Sequence, residues 1–317
     1  MPEPTPHPLG VGSSADGGRA APTAAQTLAL AQLAPGQLIA GHRLLRRIGQ
    51  GTHGAVFLAA AEDGQPLALK VVTLPAGDSG AATRSAFLRS AQTARQLVHP
   101  DIVQLHAAGV TEVMGWLAME AVPGSDLARY TRPGRLLPEP LVLKLCARLA
   151  QAAAYAHRQG VVHRDIKPAN VLVDWPSQTV KLADFGLARA DDGVQTGTGI
   201  VLGSPAYMSP EQLAGAVPTP SSDLYALGAT AYQLLTGRLP HEGASMGDML
   251  RRVAEDPPPD PRQWRPELPA AAAHAVMALL AKRPQQRPQD GDDVAHGLNA
   301  AAALWTSRPR TSQGMDS

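Results

Sequence analysis

Three short motifs with polar side chains follow one another between residues 163 and 211: HRDIKPAN at 163–170, DFG at 184–186 and SPE at 209–211. Within them, Asp165, Lys167, Asn170 and Asp184 supply two carboxylates, one cation and one amide. Phosphoryl transfer needs these groups, because a carboxylate orients the acceptor hydroxyl, oxygen ligands hold metal ions on the phosphates, and cations offset the developing charge. The motifs and their order therefore predict a phosphoryl-transfer site.

A glycine-rich segment, GQGTHGAV at 49–56, is the second chemical signal. Gly49, Gly51 and Gly54, followed by Val56, would let backbone N–H groups approach phosphate closely. A dinucleotide fingerprint needs a helix at the third glycine, and a Walker loop needs GKS or GKT; the segment has neither feature. A hairpin turn without a ligand is the remaining alternative. Lys70 on a later strand could reach the same phosphates and favours the phosphate-facing loop.

The elements that must position these residues change in type along the chain. Short apolar runs bounded by Gly, Pro or Asp come first and predict strands at His42–Ile48, Ala55–Ala60, Pro66–Val72, Ile102–Ala107 and Gly115–Met119. One helical stretch at 81–97 interrupts them. Helical spacing then predicts helices at Glu139–Gln159, Ser222–Leu235, Ala270–Ala281 and Asp290–Ala302. This order predicts an α+β fold with a small β-rich lobe, a larger helical lobe and a cleft between them.

Composition limits the classes of protein further. With 28 basic and 27 acidic residues among 317, the net charge of +1 gives no reason to expect a nucleic-acid partner. The single cysteine, Cys146, cannot form an intrachain disulfide and lies on an apolar helical stripe, which favours a buried structural thiol. No secretory signal and no apolar run long enough for a membrane span is found. Residues 1–37 are expected to form a flexible leader and residues 305–317 a disordered tail.

Through these motifs, residues 40–300 resemble bacterial Hanks-type, or eukaryotic-like, serine/threonine protein kinases. The resemblance implies a two-lobed kinase-like fold. Its N-lobe, at 38–121, would be a small antiparallel sheet with one helix, and its C-lobe, at 122–304, would be mainly helical. It also implies ATP as cosubstrate, Mg2+ or alternatively Mn2+ as metal, and protein Ser or Thr hydroxyls as acceptors. A cytoplasmic location is expected from the single cysteine together with the lack of a secretory signal and of a membrane span. A small-molecule phosphotransferase on a related fold is a lesser alternative.

The resemblance assigns roles to individual residues. Asp165 would be the catalytic carboxylate, Lys167 would neutralise the transferred phosphate, and Lys70 would pair with the α- and β-phosphates. Asn170 and Asp184 would hold the magnesium ions. The expected nucleotide pocket, with Met119 as gatekeeper and backbone groups of Glu120 and Val122 facing adenine, consists of Ile48, Gly49, Gly51, Gly54, Val56, Ala68, Lys70, Met119, Glu120, Val122 and Leu172.

Further residues would serve structure and regulation. By the same resemblance, Asp223 would anchor the catalytic loop, and Glu211 and Arg287 would form a buried ion pair. Thr196 and Thr198 would be autophosphorylated, with self-association bringing two copies together, and Arg164 would pair with the added phosphate. The alternative for Thr196 and Thr198 is that they are simply two exposed threonines of a glycine-rich loop.

One departure from the family pattern concerns the N-lobe helix. Kinases of this type pair the strand lysine with a glutamate in the pattern F-x-R-E-A, and here the glutamate position holds Ser90. No Asp or Glu occurs from Ser79 to Pro100. Lys70 could instead be positioned by Asp184, by Ser90 through a water molecule, or by the nucleotide. The sequence therefore predicts an active kinase, weakened or conditionally activated, with a nucleotide-binding pseudokinase scaffold as the alternative.

Overall fold

The computed structural model describes residue 30 and residues 32–51, 54–185 and 205–306. In these ranges an antiparallel sheet with one helix comes first, and a mainly helical part follows. The predicted two-lobed α+β fold is therefore confirmed. The limits of the leader, the lobes and the tail remain predictions.

The N-lobe is built on a six-stranded antiparallel sheet. In the spatial order β1-β2-β3-β4-β6-β5, its strands are β1 (Leu38–Ile39), β2 (His42–Gly51), β3 (Gly54–Ala60), β4 (Pro66–Thr73), β5 (Leu105–Val110) and β6 (Met114–Glu120). β3 alternates buried and half-buried residues, as expected for a strand with two unequal faces. The central strand β4 places Lys70 between Val56 of β3 and Leu117 of β6.

Different elements cover the two faces of this sheet. Helix α1 (Gly77–Arg95) lies on one face, where Phe87 belongs to the shared apolar cluster. The other face carries its own apolar cluster, and Leu30 and Leu33 pack against it. Burial on both faces stabilises the sheet, so the backbone of Lys70 lies in a firmly packed strand.

The C-lobe is mainly helical. Its helices are α2 (Glu139–Arg158), α3 (Pro210–Leu213), α4 (Pro220–Thr236), α5 (Met246–Glu255), α6 (Ala270–Leu279) and α7 (Gly291–Thr306). A small antiparallel sheet in the order β7-β8-β9 consists of β7 (Ser125–Asp126), β8 (Val171–Asp174) and β9 (Thr179–Leu182). Within the described ranges, no helix combines the length and the apolar character that crossing a bilayer requires.

Helices α2 and α4 form the centre of the C-lobe. The apolar stripe predicted on α2 is buried, and so is Cys146 beside it. Burial raises the pKa of the Cys146 thiol to about 12, which confirms a structural rather than a reactive cysteine. α4 is buried on nearly all sides. Its Gly228 permits close approach of α6, because a Cβ there would lie 2.6 Å from the Cβ of Leu279.

Some local predictions are wrong. The strand predicted at 102–107 begins only at Leu105, because Ile102 bridges to Leu182 of β9 and Val103 donates its N–H to Leu182 O at 3.0 Å. The β8–β9 hairpin is missing from the prediction, since strands of four residues show too little of the period-2 pattern. Helix α5 is missing too, although its apolar residues Met246, Met249, Leu250 and Val253 follow helical spacing.

Candidate active site

The catalytic loop, residues 163–170, brings three polar side chains into direct contact. Lys167 Nζ lies 2.7 Å from Asp165 Oδ2. Asn170 Nδ2 donates to the same oxygen at 3.0 Å and to Asp165 O at 2.8 Å. A short 3-10 turn, Pro168–Asn170, directs the amide back towards the carboxylate. The Asp165 side chain remains 33% exposed, so a substrate hydroxyl can reach it.

His163 supports this loop from below as a neutral side chain. Asp165 N donates to His163 Nδ1 at 3.2 Å, and His163 Nε2 lies 2.9 Å from Ala183 O. These two bonds require an imidazole with its proton on Nε2. Burial lowers the pKa of His163, and the ring packs against Phe185 at 4.5 Å between centroids. His163 is therefore a packed core residue and not a base.

Asp223 of α4 holds the beginning of the catalytic loop. Its carboxylate accepts the backbone N–H groups of His163 and Arg164, both at 2.7 Å, and lies 2.7 Å from His157 Nε2. Arg164 has a φ of 72°, in the left-handed region that costs energy for a residue with a Cβ. The buried carboxylate thus stabilises a backbone turn that the chain would otherwise avoid.

Lys70 and Asp184 meet across the cleft. Lys70 Nζ lies 2.8 Å from Asp184 Oδ2, and the two side chains are 19% and 31% exposed. Burial alone would raise the pKa of Asp184, but the charge and hydrogen bond of Lys70 outweigh it and hold that pKa below its usual value. Ala183 N donates to Asn170 O at 2.8 Å, which ties the segment before Asp184 to the segment bearing Asn170.

The N-lobe helix contributes no acid to this pair. Ser90 is half-buried on α1, one turn from Phe87 in the cluster between helix and sheet. In the described part of the chain, the ion pair of Lys70 is with Asp184. Of the positions considered for Lys70, direct pairing with Asp184 is the one observed.

The residues predicted to line the nucleotide pocket lie on strands of both lobes and on the segment between the lobes. Ala68 of β4 pairs with Met119 of β6, and Leu172 lies on β8 below. Ile48 near the end of β2 is 46% exposed. All four side chains are apolar, and an apolar lining suits a flat heterocycle that is buried on both faces. That they bind adenine stays a prediction.

Glu120 and Val122 are expected to offer backbone groups to adenine, and the structure limits which group of Glu120 is available. The backbone N–H of Glu120 donates to Gln104 O at 2.9 Å, so only its carbonyl could serve a ligand. Its side chain lies 2.9 Å from Lys181 Nζ and therefore joins β6 to β9. Val122 follows in the irregular segment between the lobes and is half-buried.

The glycine-rich segment forms the hairpin between β2 and β3. Gly49 pairs with Val56 and Gly51 with Gly54; residues 52 and 53 lie outside the described ranges. A Cβ at Gly54 would lie 2.4 Å from Val71 O, so only glycine allows β3 to approach β4 there. The hairpin joins the strands directly, with no helix opening at the third glycine, which excludes the dinucleotide fingerprint.

Glu211 and Arg287 form a two-pronged ion pair inside the C-lobe. Arg287 Nη1 lies 2.7 Å from Glu211 Oε1, and Arg287 Nη2 lies 2.8 Å from Glu211 Oε2. Ser222 Oγ donates to Glu211 Oε1 at 2.9 Å, and Arg287 packs over the ring of Tyr225. Thr196 and Thr198, the predicted phosphorylation sites, lie outside the described residues.

The donor set at the cleft fits a magnesium ion. Asn170 and Asp184 offer one amide oxygen and one carboxylate, and Mg2+ is commonly held by one or two such side chains together with substrate phosphates. In the ranges that the structure describes, His, Cys, Asp and Glu form no cluster of three or more that could hold a metal ion. Asn170 and Asp184 therefore fit an ion that substrate phosphates would also hold.

Two ion pairs near the cleft were not predicted from the sequence. Arg148 pairs with Asp101, and Lys181 pairs with Glu120; of the four residues only Glu120 was expected near the site, and then for its backbone. Lys181 lies only three residues before Asp184, and that proximity was the one available signal. Ion pairs between distant segments leave no periodic pattern in a sequence.

The comparisons with known proteins agree with this geometry. Residues 42–298 match the family described as protein kinase domain. The chain is 38% identical over 291 residues to the DNA damage-responsive serine/threonine-protein kinase RqkA of Deinococcus radiodurans, covering 88% of this chain and 42% of that protein. It is 35% identical to the serine/threonine-protein kinase PrkC of Bacillus subtilis, with 84% and 41% covered. The chain thus spans less than half the length of these relatives.

Two solved structures resemble the fold of this chain. The kinase domain of Mycobacterium tuberculosis PknI superposes with a TM-score of 0.68 at 31% identity, over 85% of this chain and 99% of that one. Rad53 residues 1–466, in complex with AMP-PNP, also gives 0.68, over 83% and 65%, but at 23% identity it supports the fold alone. The relatives are named as kinases, so the pseudokinase alternative gains no support. The chain belongs to the protein kinase family, among the bacterial Hanks-type serine/threonine kinases.

Proposed function

We propose that this chain transfers the γ-phosphoryl group of ATP to Ser or Thr hydroxyls of proteins. The observation that carries the proposal is the contact of Asp165 with both Lys167 and Asn170 within 3.0 Å, below a cleft that Lys70 and Asp184 span. Two carboxylates, two cations and an amide around one cleft match the needs of in-line transfer.

Each side chain then has a role in the transfer. Asp165 orients the acceptor hydroxyl and receives its proton. Lys167 offsets the negative charge of the phosphoryl group during its transfer. Lys70 binds the α- and β-phosphates. Asn170 and Asp184 would hold magnesium, which supplies charge neutralisation on the phosphate oxygens when bound.

The finer assignments extend this proposal. The apolar residues along the cleft bind the adenine ring, and protein substrates carry the acceptor hydroxyl. Because relatives named as serine/threonine kinases cover most of the chain, we expect Ser and Thr rather than Tyr as acceptors. A cytoplasmic location follows from the need for ATP and remains a prediction.

The direct test is transfer of labelled phosphate from ATP and Mg2+ to a generic basic protein. Asp165→Asn should lower the rate by about 10²- to 10⁴-fold, because the carboxylate that orients and deprotonates the hydroxyl is lost. Asp63→Asn, in the exposed turn between β3 and β4, is the matched control and should keep full activity. Transfer by the unmodified chain that does not exceed that of Asp165→Asn would refute the proposal.

Autophosphorylation between two copies is the second part of the proposal. Thr196 and Thr198 are the expected acceptors, and we expect Arg164, which directly precedes Asp165 in the sequence, to pair with the added phosphate. Peptide mass spectrometry after incubation with ATP should find phosphate on one or both threonines. A segment without phosphate, in protein that labels other substrates, would contradict this part and leave the kinase activity standing.

A further inference from the structure

The segment His99–Gln104 joins α1 to β5 in the N-lobe, yet its backbone is hydrogen-bonded to the C-lobe. Leu182 N of β9 donates to Asp101 O at 2.8 Å, and Val103 N donates to Leu182 O at 3.0 Å. Ile102 and Leu182 form a parallel bridge. We call His99–Gln104 the interlobe strap, because it fixes the end of α1 to the strand that leads to Asp184.

An ion pair reinforces the strap from the C-lobe side. Arg148 of α2 donates from Nε to Asp101 Oδ2 at 3.0 Å and from Nη2 to Asp101 Oδ1. Its remaining nitrogen, Nη1, donates to Gln178 O at 3.0 Å in the turn between β8 and β9. The Asp101 side chain is 8% exposed and that of Arg148 is 38% exposed. One guanidinium thus joins α2, the strap and the β8–β9 hairpin.

A second ion pair joins the strap to the strand beside Lys70. Lys181 Nζ lies 2.9 Å from Glu120 Oε2 and donates to Ile102 O at 3.3 Å. Glu120 is the last residue of β6. β6 pairs with β4, the strand that carries Lys70. The path from β6 through Lys181 therefore reaches β9, three residues before Asp184.

We propose that the interlobe strap, locked by Arg148 and Asp101, positions Asp184 against Lys70 and so takes over part of the work of the missing helix glutamate. Position 90 of the helix is serine, and no Asp or Glu occurs from Ser79 to Pro100. The Lys70–Asp184 contact of 2.8 Å spans the two lobes, so its geometry depends on what fixes β9 to the N-lobe. Arg148 is accordingly a positioning residue, and the inference rests on the proposed kinase activity.

The first test replaces the guanidinium and leaves the length of the side chain nearly unchanged. Arg148→Met should lower kcat about tenfold with a KM for ATP within about twofold of the original, because a displaced catalytic group costs rate more than binding. Arg158→Met is the matched control: Arg158 lies on the same helix and pairs with Asp292 at 2.7 Å, but the pair is about half exposed. A kcat for Arg148→Met equal to that of the control would overturn the proposal.

The second test separates positioning from simple stabilisation. Adding Ser90→Glu to Arg148→Met should raise kcat at least about threefold more than Ser90→Glu does in the unmodified chain, because a helix acid matters more for Lys70 when the strap is loosened. If Arg148 only stabilised the fold, the two gains would be equal, and equal gains would therefore overturn the proposal.

A third measurement stands apart from activity. Arg148→Met should speed amide hydrogen exchange at Val103 and Leu182, whose N–H groups form the strap bonds, while Arg158→Met should not. Unchanged exchange at both amides would refute the claim that Arg148 holds the interlobe strap against β9. That result could be obtained even if the chain showed no phosphoryl transfer. Absence of transfer in the unmodified chain would refute the kinase activity instead, so the two failures are distinguishable.

Discussion

Two ion pairs of this chain each join a cation to a carboxylate, but one is buried and the other is partly exposed. Arg287 and Glu211 lie within one lobe, and the guanidinium side chain is fully buried. Its nitrogens also donate to three backbone carbonyls, those of Ala281, Ser221 and Lys282. Lys70 and Asp184 belong to opposite sides of the cleft, meet through a single contact and are 19% and 31% exposed.

The difference separates structure from function. A buried pair with every hydrogen bond satisfied has one geometry, and breaking it strands a charge. A partly exposed pair across a cleft is weakly held, because water competes for both groups, so nucleotide and metal can displace it. The first pair should therefore dominate stability and the second should dominate rate.

Arg287→Met tests the structural side of this comparison. The substitution leaves the Glu211 carboxylate without its partner inside the lobe and should cost roughly 3–5 kcal/mol of unfolding free energy. A fall in Tm of roughly 10 °C is expected from that cost. Arg283→Met, at an exposed position four residues earlier, should leave Tm within about 2 °C of the original. If calorimetry found the same fall in Tm for both variants, the Glu211–Arg287 pair would not be the stabilising contact that we infer.

Lys70→Met tests the functional side. Loss of one cation over the phosphates should lower kcat about 10²- to 10³-fold, while Tm changes little, because the lost contact is single and partly exposed. Lys144→Met on the exposed face of α2 controls for loss of charge. A large fall in Tm without loss of rate would reverse the comparison.

The stability effect of Arg287→Met should depend on pH, because the partner left behind, Glu211, carries a carboxyl group. Burial alone would raise the pKa of Glu211, but Arg287 holds it below the ordinary value of 4.5. A depressed carboxyl pKa contributes stability that is present above 4.5 and lost as the pH falls through the folded-state value. In Arg287→Met the unpaired, half-buried carboxylate should instead have a raised pKa.

The penalty of Arg287→Met should therefore shrink as the pH falls from neutral. It should decrease by about 1.4 kcal/mol for each unit by which the two folded-state pKa values of Glu211 differ. Urea unfolding of both proteins at a series of pH values measures this. A penalty that stays constant from neutral pH to below 4.5 would show that Glu211 keeps the same pKa in both proteins.

The sequence predicts one of these pairs better than the other. The Glu211–Arg287 pair follows from the family resemblance, and the structure places the two residues in contact. The Lys70–Asp184 contact was only one of three possibilities, because the sequence states which acid is missing but not which group replaces it. Strands of the N-lobe were predictable from apolar runs and bounding glycines. Contacts such as Arg148 with Asp101 depend on how the lobes are arranged, and local patterns do not encode that arrangement.

Ser90→Glu in the otherwise unmodified chain should have the smallest effect. A new charge-assisted hydrogen bond to Lys70 would be worth roughly 1.5–3 kcal/mol if nothing else positioned the lysine, or about 10- to 100-fold in rate. Asp184 already provides a partner at 2.8 Å, so we expect a gain below about tenfold. Ser90→Gln, similar in shape but uncharged, should give less. A gain of 100-fold in steady-state kcat would mean that Lys70 is poorly positioned without the helix acid. The contact between Lys70 and Asp184 would then contribute little to catalysis.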